Sequence, residues 1–130
     1  MATSALFLVN AYGAEPVRCP AGESRLAASI TALPDDIQLL LGRGNGGLGG
    51  IADAKEPFNA TDAIGPGELL PMSRFNTAML GEDCVTVIVE RGGIAHYFEA
   101  LVFRKEKLAW RLAGKLAPNG EETPAPRATP

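Results

Sequence analysis

The chain has few side chains that could carry out covalent or acid–base chemistry. His96 is the only histidine among the 130 residues, so it is the one imidazole that could act as a general base near neutral pH. A nucleophilic site would need a serine beside this ring and a carboxylate behind it. A histidine that only supports a nearby hairpin explains the same residue, and the sequence favours that interpretation. The candidate partners are Ser24, Ser29 and Ser73 as nucleophiles, and Asp62, Glu90 and Glu99 as carboxylates.

The two cysteines are the second chemical feature. Cys19 and Cys84 are the only cysteines in the chain, and they lie far apart in the sequence. A disulfide between them would join the N-terminal part of the folded domain to the beginning of a predicted strand. Closing a loop of that length stabilises a fold by about 4 kcal/mol in the chain-entropy model. Two buried free thiols are the alternative in a reducing compartment, and we predict the disulfide.

The N-terminal residues bear on which compartment the chain meets. Residues 5–9 read Ala-Leu-Phe-Leu-Val, and the small residues Ala11 and Gly13 follow at the spacing of a cleavage site. We therefore predict a signal peptide over residues 1–14 and a periplasmic or secreted protein. The apolar run is too short to span a bilayer, so no membrane anchor is predicted. A first β-strand over Ser4–Tyr12 is the alternative.

No motif in the chain predicts a metal ion or a cofactor. One histidine and two distant cysteines provide no cluster of zinc ligands, and the acidic residues lack the spacing of a calcium loop. Gly44–Gly49 matches the G-x-G-x-x-G pattern of dinucleotide-binding sites, which requires a strand before it and a helix after it. Here a predicted helix precedes it. Six glycines between residues 42 and 50 instead predict a mobile loop.

The charge of the chain excludes nucleic acid as the main partner. The formal net charge is −3, whereas proteins that bind nucleic acid carry basic surfaces. Basic residues are concentrated between residues 104 and 115, with only Glu106 opposing them. A basic strand edge of this kind is typical of a solvated face that discourages edge-to-edge pairing. A docking patch for an acidic partner is the alternative interpretation.

The second half of the chain has the alternation of apolar and polar residues that is typical of strands. Gly92-Gly93 is a hairpin signal between two such runs. In the third run His96 and Phe98 share one face, and in the fourth Leu112 and Leu116 share the buried one. We predict an α+β fold: an antiparallel meander of about four strands with one or two short helices packed on one face. The predicted strands are Arg74–Leu80, Val85–Glu90, Ile94–Arg104 and Leu108–Leu116.

A short helix and a flexible tail complete the predicted domain. Pro34 followed by two acidic residues is a helix start, and Gly42 ends the helix. Its buried side is predicted to consist of Ile37, Leu39, Leu40 and Leu41. The folded domain is predicted over residues 15–117. Residues 118–130 contain four prolines and no apolar cluster, which predicts a disordered tail.

The middle of the chain is irregular but contains one segment with a distinct composition. Residues 57–62 read Pro-Phe-Asn-Ala-Thr-Asp and have the look of a family signature without an attached activity. Asn59-Ala60-Thr61 within it fits the sequence required for N-glycosylation. A turn capped by these side chains explains the same residues.

These observations favour a binding protein over an enzyme. We expect a small exported protein that binds and blocks another protein, a toxin or a hydrolase, as an inhibitor or immunity protein does. The hairpin is the preferred contact element because a tight turn displays a cation, an aliphatic side chain and an imidazole together. Its residues are Arg91, Gly92, Gly93, Ile94 and His96.

Two alternatives remain open at the level of sequence. The first is a small hydrolase in which His96 works with Asp62 or Glu99. The second is a carrier of small molecules whose sheet curls around an apolar pocket. That pocket would be lined by Phe98, Phe103 and Trp110.

Overall fold

The computed structural model describes residues 16–61 and 69–126. Within them the chain forms a six-stranded antiparallel sheet in which the strands follow one another in sequence order. A single α-helix, α1 (Asp35–Leu41), and two 3₁₀ turns precede β2. The strands are β1 (Arg25–Ala27), β2 (Ser73–Leu80), β3 (Cys84–Arg91), β4 (Tyr97–Glu106), β5 (Ala109–Leu116) and β6 (Glu122–Pro124).

The predicted α+β meander is confirmed, but the predicted number of strands is wrong. The four strands expected from alternation correspond to β2–β5. The sheet gains β1 at one edge and β6 at the other, and each contains only three residues. A three-residue strand is too short to display a period, so alternation could not reveal it.

One face of the sheet, which we call the inner face, is closed by apolar packing. Val85, Val87 and Val89 of β3 are almost completely buried there, together with Phe75 and Phe103 from the neighbouring strands. Residues from the 3₁₀ turn and α1 cover this layer. They are Ile30, Leu33, Ile37 and Leu41.

The helix begins and ends where the sequence predicts, but its buried side is narrower. Gly42 follows α1 with a φ of 104°, a left-handed conformation that favours glycine. Ile37 and Leu41 face the sheet, four residues apart. Leu39 and Leu40 are 68% and 54% exposed, so the prediction that they are buried is wrong. A helix of two turns can direct only a narrow stripe of side chains toward a flat sheet.

A bulge in β5 changes which side chains reach the core. Leu112 lies opposite Phe103 and Gly114 lies opposite Val102, so one extra residue separates them. Beyond this point the alternation is inverted. Leu116 therefore packs on the opposite face from Leu112, and the expectation that both share the buried face is wrong.

The opposite face, which we call the outer face, is crossed by residues 16–24, named the strap here. The Cys19–Cys84 disulfide is present and joins the strap to the first residue of β3, with 5.7 Å between the Cα atoms. Val17, which belongs to the strap, is buried against Val102 and Cys84. The predicted bridge is confirmed, and its loop length corresponds to about 4 kcal/mol of stabilisation.

The ordered sheet extends beyond the predicted end of the domain. β6 pairs with β5, and the Ala125 amide donates to the Ala113 carbonyl at 3.0 Å. The prediction of a disordered tail from residue 118 is therefore corrected for residues 118–126, because backbone pairing can order a segment that lacks apolar side chains. The predicted signal peptide (1–14) and residues 127–130 lie outside the described residues. Within the described ranges, no helix has the length and apolar character needed to cross a membrane.

Candidate functional site

The turn between β3 and β4 is held against a distant part of the chain. The Gly92 amide donates to the Met72 carbonyl at 2.7 Å. A Cβ atom on Gly92 would lie only 2.1 Å from the Asn59 carbonyl oxygen, so no other residue fits there without displacing the backbone. Three segments that are remote in the sequence therefore meet at this end of the sheet.

Glu90 lies at the centre of this end, on the outer face. The residue is only 7% exposed, so its carboxylate must be compensated by partners. Arg74, directly opposite on β2, donates from Nε at 3.0 Å and from Nη2 at 2.8 Å to Oε1. His96 Nε2 lies 2.5 Å from the other carboxylate oxygen. The two oxygens are thus contacted by basic side chains from different segments, Arg74 from β2 and His96 from the turn before β4.

Aromatic rings lie beside Glu90, Arg74 and His96, which together we call the Glu90 cluster. The Arg74 guanidinium lies 4.2 Å from the centroid of the Phe58 ring, in a cation–π arrangement. The His96 ring lies between two phenylalanines, with centroids 6.4 Å from Phe58 and 5.7 Å from Phe98. These rings limit the access of water to the ion pairs. They also fix the orientation of the imidazole.

A second set of charges supports the same end from the inner face. Arg91 Nε lies 3.2 Å from Glu99 Oε2, and Arg91 Nη1 donates to the Ser73 hydroxyl at 2.7 Å. Lys115 Nζ lies 3.3 Å from the other Glu99 oxygen. The bulge in β5 makes this contact possible because it turns Lys115 to the inner face. The two legs of the hairpin are therefore linked on both sides of the sheet, by the Glu90–His96 contact on the outer face and the Arg91–Glu99 ion pair on the inner face.

The tip of the hairpin remains open to solvent. Ile94 is 92% exposed, the highest value among the large apolar residues described as exposed. Tyr97 and Phe98 are each nearly half exposed, and the His96 side chain is 44% exposed. We call Ile94, His96 and Phe98 the hairpin surface, whereas Tyr97 lies on the other face of β4. The surface combines an aliphatic side chain, an imidazole and an aromatic ring on a braced turn.

The surroundings of Glu90 determine its protonation. Burial alone would raise the pKa of the carboxyl group. Hydrogen bonds from Arg74 and His96, together with their positive charges, outweigh burial and hold the pKa of Glu90 below its ordinary value. Glu90 is therefore ionised over the neutral and mildly acidic range.

The carboxylate beside His96 differs from the ones the sequence favoured. Glu90 occupies that position, whereas Glu99 lies on the other face of the sheet and Asp62 lies outside the described residues. Ser29 contacts Asp53 and Ser73 contacts Arg91. In the described parts of the chain, the structure records no contact between a serine and His96.

Two other sequence hypotheses change in the light of the structure. The Asn59 side chain accepts from the Thr61 amide at 3.2 Å and is buried, so it caps a turn and is inaccessible to glycosylation in this fold. The predicted carrier pocket does not form, because Phe103 is buried in the inner core and Phe98 lies on the outer face. Trp110 packs at the margin of the inner core.

The glycine-rich loop has the context of a structural turn. Gly47–Gly49 forms a 3₁₀ turn, and the helix α1 lies before it rather than a strand. A dinucleotide site would need the opposite order of elements. Among residues 16–61 and 69–126, no group of three or more acidic, histidine or cysteine side chains is placed to hold a metal ion.

Sequence reasoning found His96 and the hairpin but missed Phe58 and Arg74 as parts of the site. Arg74 faces Glu90 in register, so pairing the outward residues of β2 and β3 could have suggested the ion pair. Phe58 comes from an irregular loop, for which no periodic signal exists. No protein-family model, curated protein or solved structure matches this chain. Functional inference therefore depends on the geometry of the chain itself.

The Glu90 cluster predicts a specific dependence of stability on pH. Because its pKa is lowered in the folded state, ionised Glu90 stabilises the fold above its unfolded pKa of about 4.3, and this contribution is lost as the pH falls further. We expect Glu90→Gln to lower the free energy of unfolding by about 2 kcal/mol at pH 6. The difference from the unmodified protein should shrink as the pH falls below about 4.3.

Urea unfolding at a series of pH values measures this difference. Glu82→Gln, at an exposed glutamate in the β2–β3 turn, is the matched control and should change stability by less than about 0.5 kcal/mol throughout. A difference for Glu90→Gln that stays constant down to the lowest pH would contradict the assignment.

Proposed function

We propose that this chain is an exported protein that binds another protein and blocks it, in the manner of an inhibitor or immunity protein. The hairpin surface makes the contact. Ile94 enters an apolar pocket of the partner, and His96 and Phe98 pack at its margin. Gly92, packed against the Asn59 backbone, and Gly93, with a φ of 124°, shape the five-residue connection 92–96 that carries Ile94 and His96.

The exposure of Ile94 is the observation that carries this proposal. A large aliphatic side chain exposed at the tip of a turn does not stabilise the fold. When a partner covers such a side chain, its burial contributes to the free energy of binding. Aromatic side chains next to an aliphatic anchor are also enriched in protein–protein contacts. The hairpin surface has this composition.

The bracing of the hairpin favours binding without a large loss of entropy. Glu90 and Glu99 link the legs of the turn on the two faces, and Gly92 is packed against the Asn59 backbone. A loop that is already fixed loses little conformational freedom when it docks. Such rigidity suits a protein that inserts into a concave site.

The role of Arg91 differs from the one expected from sequence. Its guanidinium is engaged by Glu99 and Ser73 on the inner face, so we assign it to bracing rather than to contact. Replacing Arg91 would leave the half-buried Glu99 with Lys115 as its remaining cation among the described residues. Arg91→Ala is therefore a poor test of binding, because it perturbs the fold.

Ile94→Asp tests the contact with little effect on the fold. Leu108→Asp is its matched control, because Leu108 is 90% exposed on the turn at the opposite end of the sheet. A photo-crosslinking residue at position 94 should capture one discrete protein in the native compartment, whereas position 108 should not. With that protein purified, Ile94→Asp should weaken the Kd by about tenfold or more, and Leu108→Asp by less than about twofold.

Calorimetric titration of the purified pair measures both effects. Equal crosslinking from the two positions, or an unchanged Kd for Ile94→Asp, would contradict the assignment of the hairpin surface. Thermal unfolding of both variants controls for a loss of fold. Inhibition of the partner's activity by the unmodified protein then tests blocking separately from binding.

We also propose that the protein is exported. It is supported by the apolar N-terminal sequence and by the disulfide, which persists in oxidising compartments. Mass spectrometry of the protein from its native source should find a chain lacking residues 1–14, with neither cysteine alkylated before reduction. A retained N-terminus with two reactive thiols would contradict export.

A second candidate function is a small hydrolase. The observation that favours it is the 2.5 Å contact between His96 and Glu90, since a carboxylate in this position orients an imidazole as a general base. Ester and amide hydrolysis that is abolished by His96→Gln but retained by Ile94→Asp would support the enzyme over the binding protein. Equal, background rates for all three proteins would exclude it for the substrates tested.

A further inference from the structure

We propose that the Cys19–Cys84 disulfide is a redox-controlled latch. In the oxidised protein it holds the strap, residues 16–24, on the outer face of the sheet. Reduction by a dithiol releases the strap and uncovers an apolar strip beneath it, while the sheet itself stays folded. The inference is independent of the hairpin surface, which lies at the other end of β3.

The strap has little apolar packing of its own. Val17 is its one fully buried residue, Cys19 is half-buried, and the other seven residues are exposed. Val17 fits a socket made by Gly114, where an added Cβ would lie 2.9 Å from both Val17 methyl groups. None of the strap residues belongs to a helix or a strand. A single buried side chain offsets only a small part of the entropy lost by ordering nine residues.

The polar contacts of the strap are side-chain contacts at the edge of the outer face. Arg104 Nη2 donates to the carbonyl oxygens of Pro16 and Arg18, each at 2.9 Å. Glu122 accepts from the Val17 amide at 3.0 Å and from the Arg18 amide at 3.4 Å. Arg18 Nη2 donates to the Gly120 carbonyl at 3.1 Å. These groups are exposed or only partly buried, so water can replace their partners when the strap leaves. The covalent bond is therefore the dominant restraint.

A cleft of about 450 Å³ beside the bridge gives a reductant a route to the half-buried Cys19. Its lining includes Cys19, Cys84 and Thr86, and Cys84 itself is buried. A thiolate of the dithiol attacks one sulfur of the bridge, and the second thiol of the reductant then displaces the protein sulfur from the mixed disulfide. Two electrons and two protons pass to the protein, giving the thiols of Cys19 and Cys84 and a disulfide in the reductant.

Release of the strap would join two apolar regions of the outer face. Val102 is fully buried under the strap next to Val17. Beside it lies an open groove of about 390 Å³ whose floor includes Ile88, Ala100 and Leu116. Uncovering Val102 extends this floor along the sheet. The reduced protein thus presents a longer apolar strip than the oxidised protein.

Limited trypsin digestion tests the latch on the full chain. The Arg18 carbonyl, which belongs to the bond that trypsin cleaves, accepts a hydrogen bond from Arg104 in the oxidised protein. After treatment with dithiothreitol, cleavage after Arg18 should become about tenfold faster or more. Hydrogen exchange should show that the amides of β3 and β4 remain protected. The double variant Cys19→Ser/Cys84→Ser should behave like the reduced protein without any reductant.

Val17→Ser with the disulfide intact tests whether the strap is held by the disulfide or by the packing of Val17. If the bridge is the latch, this variant keeps its slow cleavage after Arg18 within about threefold of the unmodified protein. Three results would overturn the proposal. They are an unchanged cleavage rate on reduction, a strap freed by Val17→Ser alone, and a loss of protection throughout the sheet, which would make the bridge a staple of the whole fold.

Discussion

The hairpin end of this protein depends on one buried carboxylate. Glu90 lies on the outer face between Arg74 of β2 and Phe98 of β4, and its buried charge is tolerated only because basic side chains reach both of its oxygens. Arg74 comes from β2 and His96 from beyond the turn, so the carboxylate connects three segments. Phe58 adds a fourth by packing on the guanidinium. The geometry of the exposed tip follows from these contacts.

The two faces of the sheet are closed by different means. The inner face is sealed by close packing of aliphatic and aromatic side chains under α1. The outer face has a small apolar cluster around Val17 and Val102, and its cover is secured by a covalent bond. Changes in redox conditions would therefore act on the strap at one end of the outer face, whereas ionised Glu90 stabilises the hairpin end.

The sequence was informative wherever a side-chain period extended over several residues. Alternation along Val85, Val87 and Val89 predicted β3 and its neighbours, and the cysteine count predicted the bridge. Prediction from sequence failed where a local irregularity changed which side chains face the core. The bulge near Gly114 inverted the faces of the end of β5, and a glycine inside a strand pattern was its only local signal.

The site was predicted in part for similar reasons. His96 and the Gly92-Gly93 turn carry local signals, so the hairpin could be found from the sequence alone. Its pairing with Glu90 depends on the register of β3 and β4, which alternation restricts but does not fix. Phe58 arrives through a tertiary contact from an irregular loop. Such contacts leave no trace in the spacing of residues along the chain.

The order of the strands has a consequence for how the molecule is made. Each strand from β2 to β5 pairs with the next strand along the chain, so this part of the sheet can assemble hairpin by hairpin through short-range closures. β1 must return across the long stretch between Ala27 and Ser73, and it brings Cys19 toward Cys84. Because the chain contains no third cysteine, oxidation has a single intramolecular product. Maturation can therefore finish without an isomerase to correct mispaired thiols.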